Sequence, residues 1–130
     1  MPVTAGQLLQ EAHAAVPPIS VEDAQAKLRD GALLLDVRDA PELDANGRAQ
    51  GSHHVPRGML EFRADPATPF HDPELRFDRP VILHCASGGR AALAGKLLKD
   101  MGYQEVYNLG GFSNWKEAGA PSIEPVDPGM

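Results

Sequence analysis

Cysteine and long apolar runs are scarce in this sequence, and each shortage excludes a class of protein. A single cysteine, Cys85, among 130 residues can form neither an intrachain disulfide nor a metal site built from several thiolates. No apolar run is long enough to predict a transmembrane helix. Residues 1–16 lack the cationic and apolar stretches of an export signal, so we expect a cytoplasmic protein without a membrane partner.

Positive charge is scarce as well. The 12 Lys and Arg residues face 18 Asp and Glu residues, which gives a net charge of -6. No stretch clusters basic residues strongly enough to follow a phosphate backbone, so we expect no nucleic-acid partner. The remaining composition, 42% hydrophobic and 23% charged, is that of an ordinary globular chain. A length of 130 residues suits one domain with one core.

Helix-like and strand-like segments alternate along the chain. The predicted helices span residues 4–16, 20–30 and 90–101; Thr4 and Ser20 are the predicted caps of the first two, and Gly102 ends the third. The predicted strands, which are short and apolar, span residues 32–37, 80–84 and 105–109. A last short helix runs through Trp115, which we expect in the core. This alternation predicts an α/β domain with a mostly parallel sheet and a site at the carboxyl ends of its strands.

We predict three parts in the chain. A helical extension occupies residues 1–18, the domain occupies residues 19–120, and a flexible, Pro-rich tail occupies residues 121–130. Residues 56–80 are the least regular part of the domain and carry five prolines. Because long connections in compact domains are often functional, we expect this segment to be a flap over a neighbouring site, with one helical turn at 59–63.

The lone cysteine lies in the stretch HCASGGRA, residues 84–91, after an apolar run and before a helix-like segment. A free cysteine is often a buried filler that behaves as a small hydrophobe. An ordinary thiol has a pKa of about 8.5, so only about 3% is thiolate at neutral pH. Lowering such a pKa by about two units takes roughly 2.7 kcal/mol, whereas a helix dipole supplies ~0.3 to 1 kcal/mol. A nucleophilic cysteine therefore needs further donors.

The residues after Cys85 offer those donors. The next four residues are all small: Ala86, Ser87, Gly88 and Gly89. Glycines let the backbone turn so that several amides can point inward, which makes an anion-binding nest at the start of the next helix. Arg90 adds a positive charge and a fork of donors at the rim, suited to an oxyanion on an incoming substrate. We therefore predict that Cys85 is a nucleophile.

HCASGGRA resembles the active-site loop of the rhodanese-like sulfurtransferases, in which four residues separate the Cys from the Arg. LLLDVRDAPEL, residues 33–43, is similar to the first motif of that family, and GGFSNW, residues 110–115, is similar to its closing Gly-Gly motif. The order and spacing of these motifs cover the chain from Ile19 to Ala120. The chain is thereby identified as a single-domain member of the family.

The resemblance implies a sheet of about five parallel strands flanked by helices. It also implies that Cys85 takes a sulfane sulfur from a donor such as thiosulfate, holds it as a persulfide, and passes it to cyanide or a cellular thiol. By position, residues 86–90 cradle the persulfide, while Asp36 and Arg38 support the site; no metal or organic cofactor is implied. Relatives often carry a basic residue where this chain has Ala86, so the two negative charges of thiosulfate are less well matched.

Other functions remain open from the sequence alone. Phosphatases with a Cys and Arg loop need five residues between the Cys and the Arg, and in this chain Ala91 occupies the position of that Arg. We therefore rank phosphatase activity low. Arsenate reduction is ranked low for the same reason. A binding module that docks a protein partner, or a sulfur relay to such a partner, is the alternative from a different class.

The histidines and the Asp36 and Arg38 pair also have simpler interpretations. His84 neighbours Cys85 on a strand and should point to the opposite face, so it is a poor general base. We expect His53 and His54 to be exposed or locally hydrogen-bonded rather than metal ligands. Judged from the residues alone, Asp36 and Arg38 form a structural ion pair or separate turn contacts.

Overall fold

The computed structural model of the protein describes residues 2–125. Within this range the helices are α1 Ala5–Ala15, α2 Val21–Arg29, α3 Ala40–Asn46, α4 Leu60–Ala64, α5 Gly89–Met101 and α6 Phe112–Glu117. The strands are β1 Leu33–Asp36, β2 Arg48–Ala49, β3 His53–His54, β4 Val81–Cys85, β5 Val106–Gly111 and β6 Ser122–Ile123. The predicted alternation of helices and strands is confirmed.

The main sheet is parallel and has the strand order β3-β1-β4-β5 in the described part of the chain. The α/β architecture is therefore confirmed, with four strands where about five were predicted. A fifth position beside β5 is held by one bridge between Pro18 and Asn108, with the N–H of Asn108 donating to the Pro17 carbonyl at 2.9 Å. Because consecutive prolines lack N–H donors, this edge cannot extend into a regular strand.

Side-chain caps explain where the first helices begin. Thr4 caps α1 in a reciprocal capping box with Gln7, and Ser20 accepts a hydrogen bond from the N–H of Asp23 at the start of α2. Asp39 and Glu42 form a second capping box at α3, which carries a proline in its first turn. The predicted caps at Thr4 and Ser20 are confirmed.

The sheet buries two apolar clusters, one on each face. Along β4, Leu83 and Cys85 belong to the cluster that includes Leu98 of α5, whereas Ile82 belongs to the cluster that includes Trp115. His84 stacks on Phe112 on the second face. This alternation is the two-residue period of a strand, and it places His84 on the opposite face from Cys85, as predicted. Trp115 is buried, as predicted.

Residues 56–80 pack beside α5. The segment contains a 3-10 turn at Arg57–Met59 followed by α4, so the helical turn predicted at 59–63 is present. Leu60 and Leu75 are buried in the same cluster as Cys85, and the hydroxyl of Tyr103 donates to the Ala64 carbonyl at 2.8 Å. These contacts hold the segment against the core, and its role as a flap over the site stays a prediction.

The C-terminal residues form part of a small second sheet. β6 pairs antiparallel with β2, and the indole N–H of Trp115 donates to the Pro121 carbonyl at 2.7 Å. The segment predicted as a tail from residue 121 therefore begins with a hydrogen-bonded strand, and its residues 126–130 lie outside the described residues. No helix between residues 2 and 125 is long and apolar enough to cross a membrane.

Candidate active site

Cys85 is the last residue of β4 and lies at the carboxyl edge of the main sheet. Its Sγ accepts hydrogen bonds from the N–H of Gly88 at 2.9 Å and from the N–H of Ala91 at 3.4 Å. Cys85 is fully buried, while Ala86 and Ser87 are exposed above it. Backbone donors aimed at a sulfur stabilise a thiolate, so the arrangement provides part of the anion nest that the glycines predicted.

Gly88 allows the loop to place its amides this way. Its φ of 103° lies in the left-handed region, which residues with a Cβ rarely adopt, and the α5 helix begins at the next residue. The side-chain amide of Asn108 on β5 donates to the Gly88 carbonyl at 3.3 Å. Asn108 was missed in the sequence because an asparagine inside a predicted strand carries no signal for a contact 20 residues away.

The Gly-Gly motif of residues 110 and 111 packs directly against the same loop. β4 and β5 pair Cys85 with Gly111, and a Cβ on Gly111 would lie 2.3 Å from the Ala86 carbonyl oxygen. A Cβ on Gly88 would likewise meet the Cα of Gly110 at 3.4 Å. Glycine at position 111 is therefore what allows β5 to approach the loop that follows Cys85.

Arg90 makes a bidentate ion pair with Glu42 of α3. Its Nη1 and Nη2 donate to the two carboxylate oxygens of Glu42 at 2.7 and 2.8 Å, with side-chain exposures of 36% for Arg90 and 30% for Glu42. These bonds and that from the N–H of Asp39 lower the pKa of Glu42 to about 2, and the same pair raises the pKa of Arg90. The sequence predicted a positive charge from Arg90 at the rim, but it did not predict the ion pair of that charge with Glu42.

Asp36 and Arg38 form a buried ion pair at the end of β1. Arg38 Nη2 donates to Asp36 Oδ2 at 2.8 Å and to the Gly47 carbonyl at 3.0 Å, and its guanidinium lies 4.7 Å from the centre of the Phe112 ring. Burial raises the pKa of Asp36, but the hydrogen bonds from Arg38 and the nearby charges together lower the pKa below its ordinary value. The ion pair agrees with the structural interpretation, and the Gly47 contact, which was not predicted, ties β1 to the turn after α3.

His84 is buried beside this pair without joining it. Neither ring nitrogen has a hydrogen-bond partner within residues 2–125, although Nε2 lies 3.7 Å from Asp36 Oδ2. Burial holds the pKa of His84 below its ordinary value despite the nearby carboxylate, so the ring is neutral at neutral pH and that contact is not an ion pair. His84 cannot take a proton from Cys85 because the two side chains lie on opposite faces of β4.

His53 and His54 each have a polar partner, although these partners lie 19 and 16 residues away in the sequence rather than next to them. The His53 ring contacts the Asp72 carboxylate, and Nε2 of His54 donates to the Arg38 carbonyl at 2.6 Å. Across the described range, no group of three or more His, Cys, Asp or Glu side chains is placed to hold a metal ion.

The fold and this loop define a parallel α/β protein with a cysteine at a strand end, cradled by backbone amides at a helix start. The chain matches the rhodanese-like domain family over residues 20–118. It is 33% identical to a thiosulfate sulfurtransferase GlpE of Stutzerimonas stutzeri, over 84% of this chain and 90% of that protein. The chain therefore belongs to the rhodanese-like domain family and is a rhodanese-type sulfurtransferase.

Two solved structures extend the similarity to most of the fold. The polysulfide-sulfur transferase homodimer of Wolinella succinogenes is 33% identical, with a TM-score of 0.73 over 94% of this chain and 88% of that chain. A Rhodopseudomonas palustris protein, described as of unknown function and as a possible tyrosine phosphatase, is 36% identical. Its TM-score is 0.83 over 95% of this chain and 99% of that one.

Proposed function

We propose that the protein moves a sulfane sulfur from a small donor, such as thiosulfate, to a thiophilic acceptor through a persulfide on Cys85. The observation that carries this proposal is the pair of backbone N–H groups, from Gly88 and Ala91, that donate to Cys85 Sγ. These N–H groups stabilise a thiolate nucleophile, whereas a buried cysteine that only fills space does not require such donors. The names of the Stutzerimonas and Wolinella relatives support the same chemistry.

The proposed cycle has two displacements. The Cys85 thiolate attacks the outer sulfur of thiosulfate, an S–S bond forms, and the S–S bond of the donor breaks, so that sulfite leaves with its electron pair. An acceptor thiolate or cyanide then attacks the outer sulfur of the persulfide and regenerates the Cys85 thiolate. Each step conserves charge and needs no redox partner, so we propose that no metal or organic cofactor takes part.

The loop residues take distinct roles in this proposal. Residues 86–90 surround the outer sulfur, and the N–H of Gly88 donates a hydrogen bond. The exposed Ala86 and Ser87 face the incoming sulfur substrate. Because Cys85 is fully buried, the donor reaches Sγ only when this loop or a neighbouring side chain moves. Asp36 and Arg38 support the loop from behind, since they fix the end of β1 beside β4.

The acceptor is proposed as a small thiol of the cytoplasm, where a lone cysteine stays reduced. A protein thiol is the alternative, which would make the domain a sulfur relay. Phosphate transfer fits the loop less well, because four residues rather than five separate Cys85 from Arg90, and the guanidinium of Arg90 is bound to Glu42.

The test is intact-mass spectrometry after incubation with thiosulfate, beside the control Cys85→Ser. We expect the wild type to gain one sulfur atom that is lost on reduction and on adding cyanide or glutathione, while the control gains none. Failure to gain sulfur from thiosulfate, mercaptopyruvate and glutathione persulfide alike contradicts the proposal. Hydrolysis of p-nitrophenyl phosphate that depends on Cys85, without sulfur uptake, would instead favour phosphatase activity.

A further inference from the structure

The ion pair between Glu42 and Arg90 decides how much positive charge the loop can offer a substrate. Both terminal nitrogens of Arg90 donate to the carboxylate, so the guanidinium face best suited to a bidentate oxyanion is already occupied. The pair has no net charge, so a molecule that approaches the loop meets a weaker positive potential than an unpaired Arg90 would give. Arg90 therefore offers no free cation at the edge of the pocket.

Glu42 is held in place by a second contact that does not depend on its charge. Its Oε2 accepts the N–H of Asp39 at 2.8 Å as the third-residue partner of the α3 capping box. Glutamine serves in this position as well as glutamate does, because its side-chain oxygen can accept the same bond. The substitution Glu42→Gln therefore keeps the helix cap while it removes the negative charge.

The charge of the donor is what this pair can discriminate. Thiosulfate brings two negative charges to an anionic Cys85 sulfur and releases sulfite, also a dianion, whereas an organic persulfide carries at most one charge on its reacting sulfurs and releases a thiolate. Like charges that approach without a compensating cation repel each other. The pairing of Arg90 with Glu42 therefore disfavours thiosulfate more than it disfavours an organic persulfide.

We infer that Glu42 is a positioning residue that determines donor specificity, an inference that rests on the proposed function. By holding Arg90, it selects organic persulfides, whose leaving group is a thiolate, over dianionic donors. In the favoured step the Cys85 thiolate attacks the outer sulfur of RS–SH, the new S–S bond forms on Cys85, and the old S–S bond breaks. The electron pair leaves with RS⁻, and the persulfide proton stays on the transferred sulfur, so atoms and charge balance.

The experiment compares kcat/KM for thiosulfate with kcat/KM for glutathione persulfide in the wild type and in Glu42→Gln. We expect the thiosulfate to persulfide ratio to rise about tenfold in Glu42→Gln, because the freed Arg90 can bind the dianion. Added salt should lower the thiosulfate rate of the variant more steeply than that of the wild type. The matched control Glu22→Gln removes one carboxylate from the exposed start of α2 and should leave the ratio unchanged.

A double variant separates charge from structure. In Glu42→Gln combined with Arg90→Gln no cation is freed, so the ratio should return towards the wild-type value. If Glu42→Gln is folded by thermal melting and changes both donors by the same factor, Glu42 acts only on loop structure and the inference is wrong. If the wild type takes sulfur from neither donor, the proposed function itself fails, which the mass measurement reveals before any ratio is compared.

Discussion

The contact between Gly111 and the loop after Cys85 leads to a quantitative prediction for Gly111→Ala. The added Cβ would lie 2.3 Å from the Ala86 carbonyl oxygen and 3.1 Å from the Ala86 carbonyl carbon. Both are backbone atoms in a loop that also holds the donors to Cys85 Sγ, so no side-chain rotation can relieve the clash. Either β5 or the loop must shift.

The expected cost follows from similar overpacking in protein interiors. Inserting a methyl group into a packed site costs about 1 to 3 kcal/mol, and a clash with backbone belongs at the upper end, about 2 to 3 kcal/mol. For a chain of 130 residues the unfolding entropy makes each kcal/mol equal to about 4 °C in Tm. We therefore expect Gly111→Ala to lower Tm by about 8 to 12 °C. Sulfur uptake should fall as well, because Ala86 follows the reacting cysteine.

Differential scanning calorimetry and the mass assay measure the two effects. Gly58→Ala is the matched control, since a Cβ at Gly58 would meet no atom within 4 Å and Gly58 has no left-handed φ. That variant should keep the wild-type Tm within about 2 °C and the full sulfur uptake. A Gly111→Ala protein as stable and as active as Gly58→Ala would refute the argument that close approach of β5 shapes the loop.

Two further predictions concern ionisable groups near the site. His84→Leu should keep kcat/KM within about threefold of the wild type, because His84 lies on the other face of β4; a loss above about a hundredfold in steady-state assays would identify it as a proton carrier after all. The pKa of Glu42 falls from 4.5 to about 2 on folding, so its stabilisation is complete above about pH 4.5 and is lost as the pH falls towards 2. Urea unfolding should show Glu42→Gln less stable than the wild type at about pH 6 and nearly equal at about pH 2; an equal gap at both would contradict the ion pair.

Local patterns predicted much of the fold because local physics determines it. Thr4 and Ser20 cap helices through bonds that reach only three residues along the chain, and the two-residue period of β4 was enough to assign Cys85 and His84 to opposite faces. The glycines after Cys85 likewise indicated a turn that points amides inward, and the Gly88 N–H is one of the two observed donors.

Contacts between distant parts of the chain were the ones that sequence reasoning missed. Glu42 and Arg90 are 48 residues apart, and the helix-start pattern around Glu42 is explained equally well by its capping role. The charge state of the loop therefore depends on how α3 docks against α5, which no local pattern reveals. The same holds for Asn108, whose bond to the Gly88 carbonyl exists only because β4 and β5 are neighbours.

The packing of α1 on α5 affects where this domain can be cut or fused. The family match begins at residue 20, yet Val16 fills the space over Gly95, where a Cβ would meet its side chain at 2.9 Å, and Leu9 lies against Gly89. A fragment trimmed to the matched residues would keep Cys85 and the N–H groups that bind its sulfur. It would also expose the side of α5 that α1 covers. A domain excised for fusion to another protein should therefore include α1.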